Sequence, residues 1–409
     1  MAIPMLATTR AVLGERGQHC DSRSLFASRY ADPQSEKDAR RRWFDALARK
    51  KAENSPASTS WLPTGVTLLH ARLKSRLLID LAGGVMENAN ISVDRYGYPR
   101  ISGSAAKGCA RRTVLHALRD WIAELDGQST SSDSEDIDEG DYEDACAPCR
   151  EGFATPAEML AAAAVVFGWV EKDWQSGKKK GLFQSDFGWA CYGDLAIWGD
   201  ACRLLGDHLC QTLPDEEPWN ALPDFAGTVA FLPARPNRDP GIEIDVLTPH
   251  HKKYHEGVEG FEEAPDSEDP VPVNFPAFAA QSEDGWFTFP LVPLARARDR
   301  DLDLAHRWLA TGLEVFGVGA KGAAGYGWFD ASEEVNAGVR RLEREASVVS
   351  EFRRRFSDFS DWGTEKKEEA VLELSDRTED CAVWQRLDPV SFVSVQQYAT
   401  VLGIELSCP

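Results

Sequence analysis

Hydrophobic residues recur along the chain with two different periods, and together these periods predict a protein of mixed helices and strands. Apolar residues spaced three or four apart predict amphipathic helices over 36–52, 104–125, 156–170 and 302–316. Alternating or short apolar runs predict strands over 73–82, 193–201, 226–232, 241–247 and 286–294. A glycine-rich turn after residue 316 leads into a last aromatic strand, and the charged residues beyond 331 predict further helices.

These elements follow the order strand, helix, strands, helix, strand, which is the order of a split βαβ, ferredoxin-like (RRM-like) fold. We therefore predict an α+β protein with a modified ferredoxin-like domain, long insertions and a helical C-terminal extension. Three parts are expected: an N-terminal helical segment packed on the core (1–60), the ferredoxin-like domain (61–330) and the α-helical extension (331–409). The composition of 127–152 predicts a mobile acidic insertion within the domain.

Charge is distributed unevenly along the chain, and this changes what its sum implies. Acidic residues outnumber basic ones 66 to 45, and a net charge of -21 on its own would disfavour a nucleic-acid partner. Three short stretches, 133–144, 215–224 and 256–269, contain 19 acidic residues and no basic one. The remainder is nearly neutral, so a locally basic RNA-binding surface remains compatible with the composition.

Neither a membrane segment nor a disulfide framework is expected. The longest apolar stretch, Leu160–Val170, is far shorter than the roughly 20 residues of a membrane-spanning helix, and the N-terminus lacks the pattern of a secretory signal. Nine cysteines in scattered positions predict reduced thiols in a cytoplasmic protein. Cys146 and Cys149 form a single CxxC, whereas a structural zinc site needs about four ligands, so we expect no metal and no cofactor.

The first candidate site is the glycine-rich segment from Phe316 to Trp328. Five glycines within eleven residues allow backbone amides to approach a ligand, and a lysine adds positive charge. The candidate residues are Gly317, Gly319, Lys321, Gly322, Gly325 and Tyr326. The segment leads into a strand, so it is neither a Walker loop nor a dinucleotide fingerprint, and a simple helix-to-strand turn remains the alternative. For the aromatic residues around Trp328 we favour core packing over base stacking.

The second candidate site is the start of the helix predicted near residue 104. Ser102 or Ser104 can cap this helix, and Lys107 and Arg111 lie one turn apart beside Arg112. Free amides and these cations together suit an anion. The alternative is a capped helix with a solvated basic face.

The third candidate site is the histidine-rich segment that follows the strand at 241–247. It contains His250, His251, Lys252, Lys253 and, after Tyr254, His255. The spacing does not match a metal-binding HExxH motif, and lysines beside a tyrosine suit RNA phosphates and base stacking. An exposed polar loop, or acid–base catalysis by the histidines with help from Asp245, remains open.

Together, these segments resemble the RAMP superfamily of CRISPR proteins. GVGAKGAAGYGWF looks like the C-terminal glycine signature of that family, and ISGSAAKGCARR resembles its IPGSSLKGxxR segment, with Ser102 in place of proline. GDLAIWGDA resembles a further element shared by many members. DVLTPHHKKY and the later DPVPV are similar to a segment of the sixth subunit of the type III-B (Cmr) effector complex. The resemblance covers about 62–330.

The resemblance implies a backbone-type RAMP domain that binds guide RNA (crRNA) and complementary target RNA in antiviral defence. It also implies contacts with the backbone and small subunits of the complex, at the end of the filament that the sixth subunit caps. Target cleavage is assigned to the repeated backbone subunit in this family, so we expect a non-catalytic protein. The alternatives are a metal-independent endoribonuclease that uses His250, His251 or His255, and a protein-interaction module formed by the acidic loops and the tail.

Overall fold

The computed structural model describes Ala11 and residues 20–29, 37–52, 62–79, 91–127, 146–170, 185–247 and 273–406. The chain divides into two compact units, Met1–Ser332 and Glu333–Pro409. Helices and strands are both present, which confirms the predicted α+β class. None of the helices in the described ranges combines the length and apolar character that a membrane crossing requires.

Nine α-helices of eight or more residues and two shorter ones lie in the described ranges. In the first unit they are α1 Arg23–Arg29, α2 Lys37–Ala48, α3 Gly103–Leu125, α4 Pro156–Phe167, α5 Asp186–Ala190, α6 Leu195–Leu209 and α7 Asp299–Val315. In the second unit they are α8 Glu333–Arg355, α9 Thr364–Ser375, α10 Thr378–Leu387 and α11 Pro389–Val401. Short 3-10 turns cover Ala147–Arg150, Pro218–Asn220, Gly322–Ala324 and Phe359–Asp361.

The described strands all belong to the first unit. They are β1 Thr67–Leu73, β2 Gly168–Trp169, β3 Phe225–Ala226, β4 Val229–Phe231, β5 Arg235–Pro236, β6 Ile242–Leu247, β7 Val273–Phe278, β8 Phe287–Pro293 and β9 Phe329–Asp330. The main sheet has the order β4-β8-β1-β9, with β5 also paired to β8, and its pairings are antiparallel. β2–β3 and β6–β7 form separate antiparallel pairs.

Alternate residues of the central strands and one stripe of each long helix build the main core. Leu69 of β1 lies opposite Phe289 of β8, and Leu73 lies opposite Phe329 of β9; all four side chains are buried. α3 and α7 contribute Ala110, Val114, Leu118, Ala305, Leu309 and Leu313 to the same cluster. α3 and α7 were predicted at 104–125 and 302–316, so the amphipathic spacing located both helices within a few residues.

α3 and α7 pack closely at Gly312. A Cβ atom at this position would lie 2.3 Å from Thr113 Oγ1 and 2.9 Å from Cys109 Sγ. Real Cβ atoms do not approach this closely, so the crossing requires glycine. This contact fixes the relation between the helix that carries the basic candidate residues and the helix that leads into the glycine-rich segment.

Two predicted strands are wrong. The strand predicted at 73–82 lies earlier, at 67–73; the chain then leaves the sheet, and Leu77 pairs instead with Phe278 of β7 through two backbone hydrogen bonds of 2.9 and 3.0 Å. The segment 193–201 contains the first seven residues of α6 and not a strand, because Asp194 caps the amides of Ala196 and Ile197 and buried residues recur with helical spacing.

The predicted mobile insertion 127–152 is wrong at its C-terminal end. Residues 146–152 are folded, Cys146 and Cys149 are fully buried, and Trp308 Nε1 donates a hydrogen bond of 3.2 Å to the Cys149 carbonyl. Both thiols are free, and burial raises the pKa of Cys146 to about 12 and that of Cys149 to about 11. They are therefore protonated packing residues. Residues 128–145 lie outside the described ranges.

A buried arginine joins three separate segments in the first unit. Arg23 is 1% exposed and makes two hydrogen bonds to the Asp239 carboxylate, of 2.6 and 2.7 Å. It also donates to the carbonyls of Gly97 and Lys50, at 2.9 and 2.8 Å. α1 is thereby anchored to the loops around residues 97 and 239.

Candidate nucleic-acid interface

The N-terminus of α3 is positioned by a serine cap and a close backbone contact. The Ser102 hydroxyl accepts a hydrogen bond from the Ala105 amide at 3.2 Å and shares one of 2.9 Å with the exposed Ser104 hydroxyl. Ser102 is therefore the cap, and Ser104 faces solvent. A Cβ atom on Gly103 would lie 2.0 Å from the Phe231 carbonyl oxygen, so glycine is required where α3 begins against β4.

The basic residues of α3 contact aromatic rings. The Arg111 guanidinium lies 4.7 Å from the Phe187 ring centroid and 3.3 Å from the Asp186 carboxylate. Arg112 is exposed, and its guanidinium lies 4.3 Å from the Phe316 ring centroid. Lys107 is half-buried one turn earlier. A ring contact does not neutralise the charge of an arginine, so this face of α3 stays cationic.

A pocket of about 430 Å³ opens beside these arginines, and its walls come from α3 and from the start of α5. We call it the Trp189 pocket; its polar and aromatic lining comprises Arg111, Arg112, His116, Ser185, Asp186 and Trp189. The His116 ring lies between Trp189 and Phe316, with centroid distances of 4.8 and 5.0 Å. Burial, followed by the charges of Arg112 and Arg119, lowers the pKa of His116 to about 4, so this imidazole is neutral near pH 7.

Sequence reasoning found the two arginines of this pocket and missed the other four residues. Arg112, His116 and Arg119 recur at helical spacing on α3, and this was a usable signal for a shared face. Trp189 belongs to α5, a five-residue helix that the pattern did not predict. Its proximity to α3 follows from the folding of the chain over about 70 residues.

The glycine-rich segment is held to its neighbours by its own backbone. Gly317, Gly319, Gly325 and Gly327 have positive φ, and at Gly319 a Cβ atom would lie 2.3 Å from the Leu78 carbonyl oxygen. Nine amides of the segment donate to protein acceptors: Phe316, Gly317, Val318, Ala320, Ala324, Gly325, Tyr326, Gly327 and Trp328. The glycines therefore allow close backbone packing, and a phosphate cradle by the whole segment would have to displace these hydrogen bonds.

Lys321 and Tyr326 meet the β6–β7 pair. Lys321 has a φ of 62°, and its Nζ lies 5.2 Å from the Phe275 ring centroid. The Tyr326 hydroxyl donates to Asp245, which also accepts a hydrogen bond of 2.7 Å from Arg76. Burial would raise the pKa of Asp245, but these hydrogen bonds and that of the Val246 amide outweigh it and lower the pKa. Asp245 is thus a fixed, ionised anchor.

Two neighbouring aromatic residues at the last strand, Trp328 and Phe329, lie on opposite faces, as alternation predicts. Only one of them packs in the core. Phe329 is buried against Phe287 and Phe289, at 5.5 and 5.7 Å. Trp328 is 40% exposed, so the prediction that it packs in the core is wrong. Its amide donates to the Ser75 hydroxyl at 3.0 Å and its indole nitrogen to the Gly322 carbonyl at 3.3 Å, which leaves much of the ring accessible.

The fold brings two of the three candidate sites together. Arg112 contacts Phe316 at the end of α7, and Cys109 Sγ lies 3.4 Å from the Gly317 carbonyl oxygen as its hydrogen-bond donor. The basic face of α3 and the beginning of the glycine-rich segment are therefore adjacent. The third site lies outside the described residues; its members are His250, His251, Lys252, Lys253 and His255.

No cluster of metal-ligand residues occurs in the described ranges. Nowhere among those residues do three or more His, Cys, Asp or Glu side chains come together in an arrangement that could hold an ion. The described candidate sites offer positive charge, hydrogen bonding and aromatic contact. These are the interactions by which proteins hold single-stranded nucleic acids.

The sequence profile of the RAMP superfamily matches residues 61–330, which is well over half of the chain. The chain belongs to the RAMP superfamily. Membership was predicted from the glycine-rich segment and the α3 motif, and it is confirmed. Both motifs of this RAMP protein lie within the matched range, where Arg112 and Phe316 join them.

Among curated proteins, this RAMP protein is similar to the CRISPR system Cmr subunit Cmr6 of Pyrococcus furiosus, with 25% identity over 267 residues. The match covers 63% of this chain and 65% of Cmr6, so it spans a little less than two thirds of that relative. The predicted likeness to the sixth Cmr subunit is confirmed.

Two solved structures are also similar. One is a type III-B Cmr-beta complex bound to cognate target RNA, with a TM-score of 0.31, 16% identity and coverage of 72% of this chain and 66% of that chain. The other is the crystal structure of Cmr6 from Pyrococcus furiosus, with a TM-score of 0.28, 21% identity and coverage of 65% and 97%.

Proposed function

We propose that this RAMP protein is a non-catalytic, guide-RNA-binding subunit of a cytoplasmic type III-B CRISPR ribonucleoprotein that acts in antiviral defence. The observation that carries the proposal is the junction of the two RAMP motifs, where Arg112 of α3 contacts Phe316 beside the glycine-rich segment. This junction combines an arginine, aromatic rings and a lysine-bearing loop within the matched residues 61–330. The likeness of the chain to Cmr6 suggests that the chain lies at the end of the backbone filament.

We further propose that the first unit has a ferredoxin-like fold. In chain order, β1, α3, β4, β8, α7 and β9 are strand, helix, strand, strand, helix, strand. The first and last of these strands are neighbours, and the third lies between the first and second. That antiparallel order is what a split βαβ repeat requires.

The proposed partners are guide RNA, complementary target RNA, and the backbone and small subunits of the complex. The Cmr-beta structure is described as bound to cognate target RNA, which supports an RNA partner for this relative of its subunits. The acidic stretches 133–144 and 256–269 repel RNA and suit basic surfaces of neighbouring subunits.

A binding role fits the described residues better than RNA cleavage. Asp245 is ionised and engaged by Tyr326 and Arg76, so it is poorly placed to act as a mobile proton acceptor. The ribonuclease alternative depends on His250, His251 and His255, which lie outside the described residues. Incubation of the isolated chain with repeat or target RNA tests this point, with alanine at all three histidines as the comparison.

Removal of two lysines tests the binding proposal. We expect the double substitution Lys107→Ala/Lys321→Ala to reduce guide RNA retained by the purified complex and to leave the fold intact. Each lost phosphate contact lowers the slope of log affinity against log salt by about 0.7 for a single strand. Filter binding at several salt concentrations measures this slope.

A matched control removes two lysines from the second unit. Lys366 and Lys367 lie in α9 and contact nearby aromatic rings, and Lys366→Ala/Lys367→Ala removes the same number of positive charges. We expect this control to retain its RNA. Equal RNA content in the Lys107→Ala/Lys321→Ala complex and the wild type would contradict the proposal.

A further inference from the structure

The Trp189 pocket has the size of a small-ligand site. Ligand pockets typically enclose roughly 300–1,000 Å³, and this one has about 430 Å³. It combines two guanidinium groups, one imidazole and one indole around a single opening. Leu115 and the aromatic rings give the lining an apolar part, and the guanidinium groups give it a charged part. A ligand that carries both an aromatic ring and an anion matches the lining.

Positive charge in the pocket exceeds negative charge. Arg111 is paired with Asp186, whose side chain is 65% exposed, so a second anion can compete for that arginine at little cost. Among the described residues, no carboxylate lies within ion-pair distance of Arg112. Burial, followed by the charges of Arg112 and Arg119, lowers the pKa of His116, so the imidazole itself adds no charge near pH 7. A phosphate would supply the missing negative charge.

The aromatic side of the pocket is fixed by another arginine. Arg119 donates a hydrogen bond of 2.5 Å to the Trp189 carbonyl, and its guanidinium lies 4.7 Å from the Trp189 ring centroid. The same guanidinium lies 3.7 Å from the ring of Tyr192, a residue with the unusual φ of 54°. Trp189 is thus held in place before any ligand arrives, and only part of it is buried. Arg119 acts as a positioning residue.

We propose that the Trp189 pocket binds one nucleotide unit, with the base against Trp189 and His116 and the phosphate at Arg112 and Arg111. The unit is either an unstacked nucleotide of a single-stranded RNA or a free nucleoside 5′-monophosphate, because both present the same chemistry. The assignment of RNA as the source of this nucleotide rests on the proposed function, whereas the assignment of the pocket as a nucleotide site does not. Unstacked bases on aromatic side chains beside arginines are a general mode of single-strand recognition.

Equilibrium binding to the full chain tests this proposal. The probes are a labelled six-nucleotide oligouridylate, uridine 5′-monophosphate and inorganic phosphate. Trp189→Leu removes the aromatic ring, and we expect it to weaken nucleotide binding roughly 5- to 150-fold, the range for loss of one stacked base. Trp189→Phe keeps a ring and should retain most of the affinity. Arg112→Ala should weaken both nucleotide probes, whereas the charge-matched control Arg296→Ala, at an exposed arginine before α7, should weaken neither.

A wild-type measurement guards against variants that fold poorly. A phosphate beside Arg112 offsets the positive potential around His116, so uridine 5′-monophosphate should raise the pKa of His116 from about 4. Histidine NMR signals titrated with and without the nucleotide report this change directly.

The three probes and the pocket variants distinguish the possible outcomes. Binding of both nucleotide probes, or of the oligouridylate alone, with losses in Trp189→Leu and Arg112→Ala, supports the pocket and an RNA source. Binding of the monophosphate alone supports a free-nucleotide site. Inorganic phosphate that competes as well as the nucleotide overturns the role of the base. Oligouridylate binding that neither pocket variant weakens overturns the pocket but leaves the proposed function standing. Unchanged guide RNA in the Lys107→Ala/Lys321→Ala complex overturns that function independently.

Discussion

Single arginines of the first unit fall into two groups that differ in how their charge is used. On α3, Arg111, Arg112 and Arg119 lie over the rings of Phe187, Phe316 and Trp189. A cation–π contact holds a guanidinium in place without cancelling its charge. Arg23, by contrast, is buried and neutralised by Asp239. The first group is suited to binding an anion, and the second only stabilises the fold.

The Arg23–Asp239 pair predicts a pH-dependent stability. Burial would raise the pKa of Asp239, but hydrogen bonds from Arg23, Ala52 and Gly241 outweigh it and lower the pKa. The contribution of the pair is therefore complete above the unfolded pKa, near 4, and is lost as pH falls through the lower folded pKa. We expect Asp239→Asn to lower the free energy of unfolding by about 3 to 5 kcal/mol at pH 7, the usual cost of breaking a buried pair.

Urea unfolding from pH 7 to pH 3 measures this difference. The gap between the wild type and Asp239→Asn should narrow as the pH falls below about 4, because the Asp239 carboxylate then gains a proton in the unfolded chain before it does so in the folded one. Asp284→Asn is the control, since Asp284 pairs with Arg238 at an exposed site. A gap that is independent of pH would contradict this account of the pair.

At the scale of helices and strands, local pattern was sufficient where one face of an element is buried. α3 has its serine cap and a buried residue at nearly every third or fourth position, so its start and end were predicted within a residue of 103–125. The prediction was wrong at the start of α6, because GDLAIWGDA contains two glycines and a short apolar run, features that are also typical of a strand. Its cap at Asp194 was the signal that identifies a helix.

The close packing of α3 and α7 predicts that alanine at Gly312 has two opposing effects on stability. Gly312→Ala should gain about 1 kcal/mol of helix propensity but place a Cβ atom 2.3 Å from Thr113 Oγ1, where overpacking costs about 1 to 3 kcal/mol. Thr113 is itself fixed by a hydrogen bond of 2.9 Å to the Cys109 carbonyl. We therefore expect a net loss of stability of up to about 2 kcal/mol in thermal or urea unfolding.

Gly338 of α8 is the matched control for this substitution. No atom lies within 4 Å of a Cβ built at Gly338, so Gly338→Ala should stabilise its helix by about 1 kcal/mol. Stabilisation by both substitutions would mean that the crossing tolerates a methyl group. The crossing would then not be what holds Arg112 beside Phe316.

For the whole molecule, sequence patterns predicted the types of interaction but not the partners. The α3 cations and the glycine-rich segment were each visible as motifs, yet their meeting at Arg112 and Phe316 joins residues about 200 positions apart. The Trp189 pocket also depends on α5, which is too short to leave a periodic signal. Burial of Cys146 and Cys149 was missed because the acidic composition of the neighbouring residues dominates any average over 127–152.

Net charge is a property of the whole molecule, and it predicts how RNA binding depends on salt. The stretch 133–144 contains eight acidic residues and no basic one. Its replacement by a Gly/Ser linker of equal length should raise RNA affinity several-fold at low ionic strength, because long-range repulsion falls. The effect should vanish near 1 M salt, where the screening length is about 3 Å. Filter binding of the isolated chain measures both regimes.

A replacement that keeps the eight acidic residues within a shuffled sequence is the control and should bind like the wild type. If the neutral linker strengthens RNA binding by the isolated chain but weakens RNA binding by the assembled complex, the stretch contacts a basic neighbouring subunit. If the linker strengthens RNA binding in both cases, the stretch acts only by electrostatic repulsion of RNA.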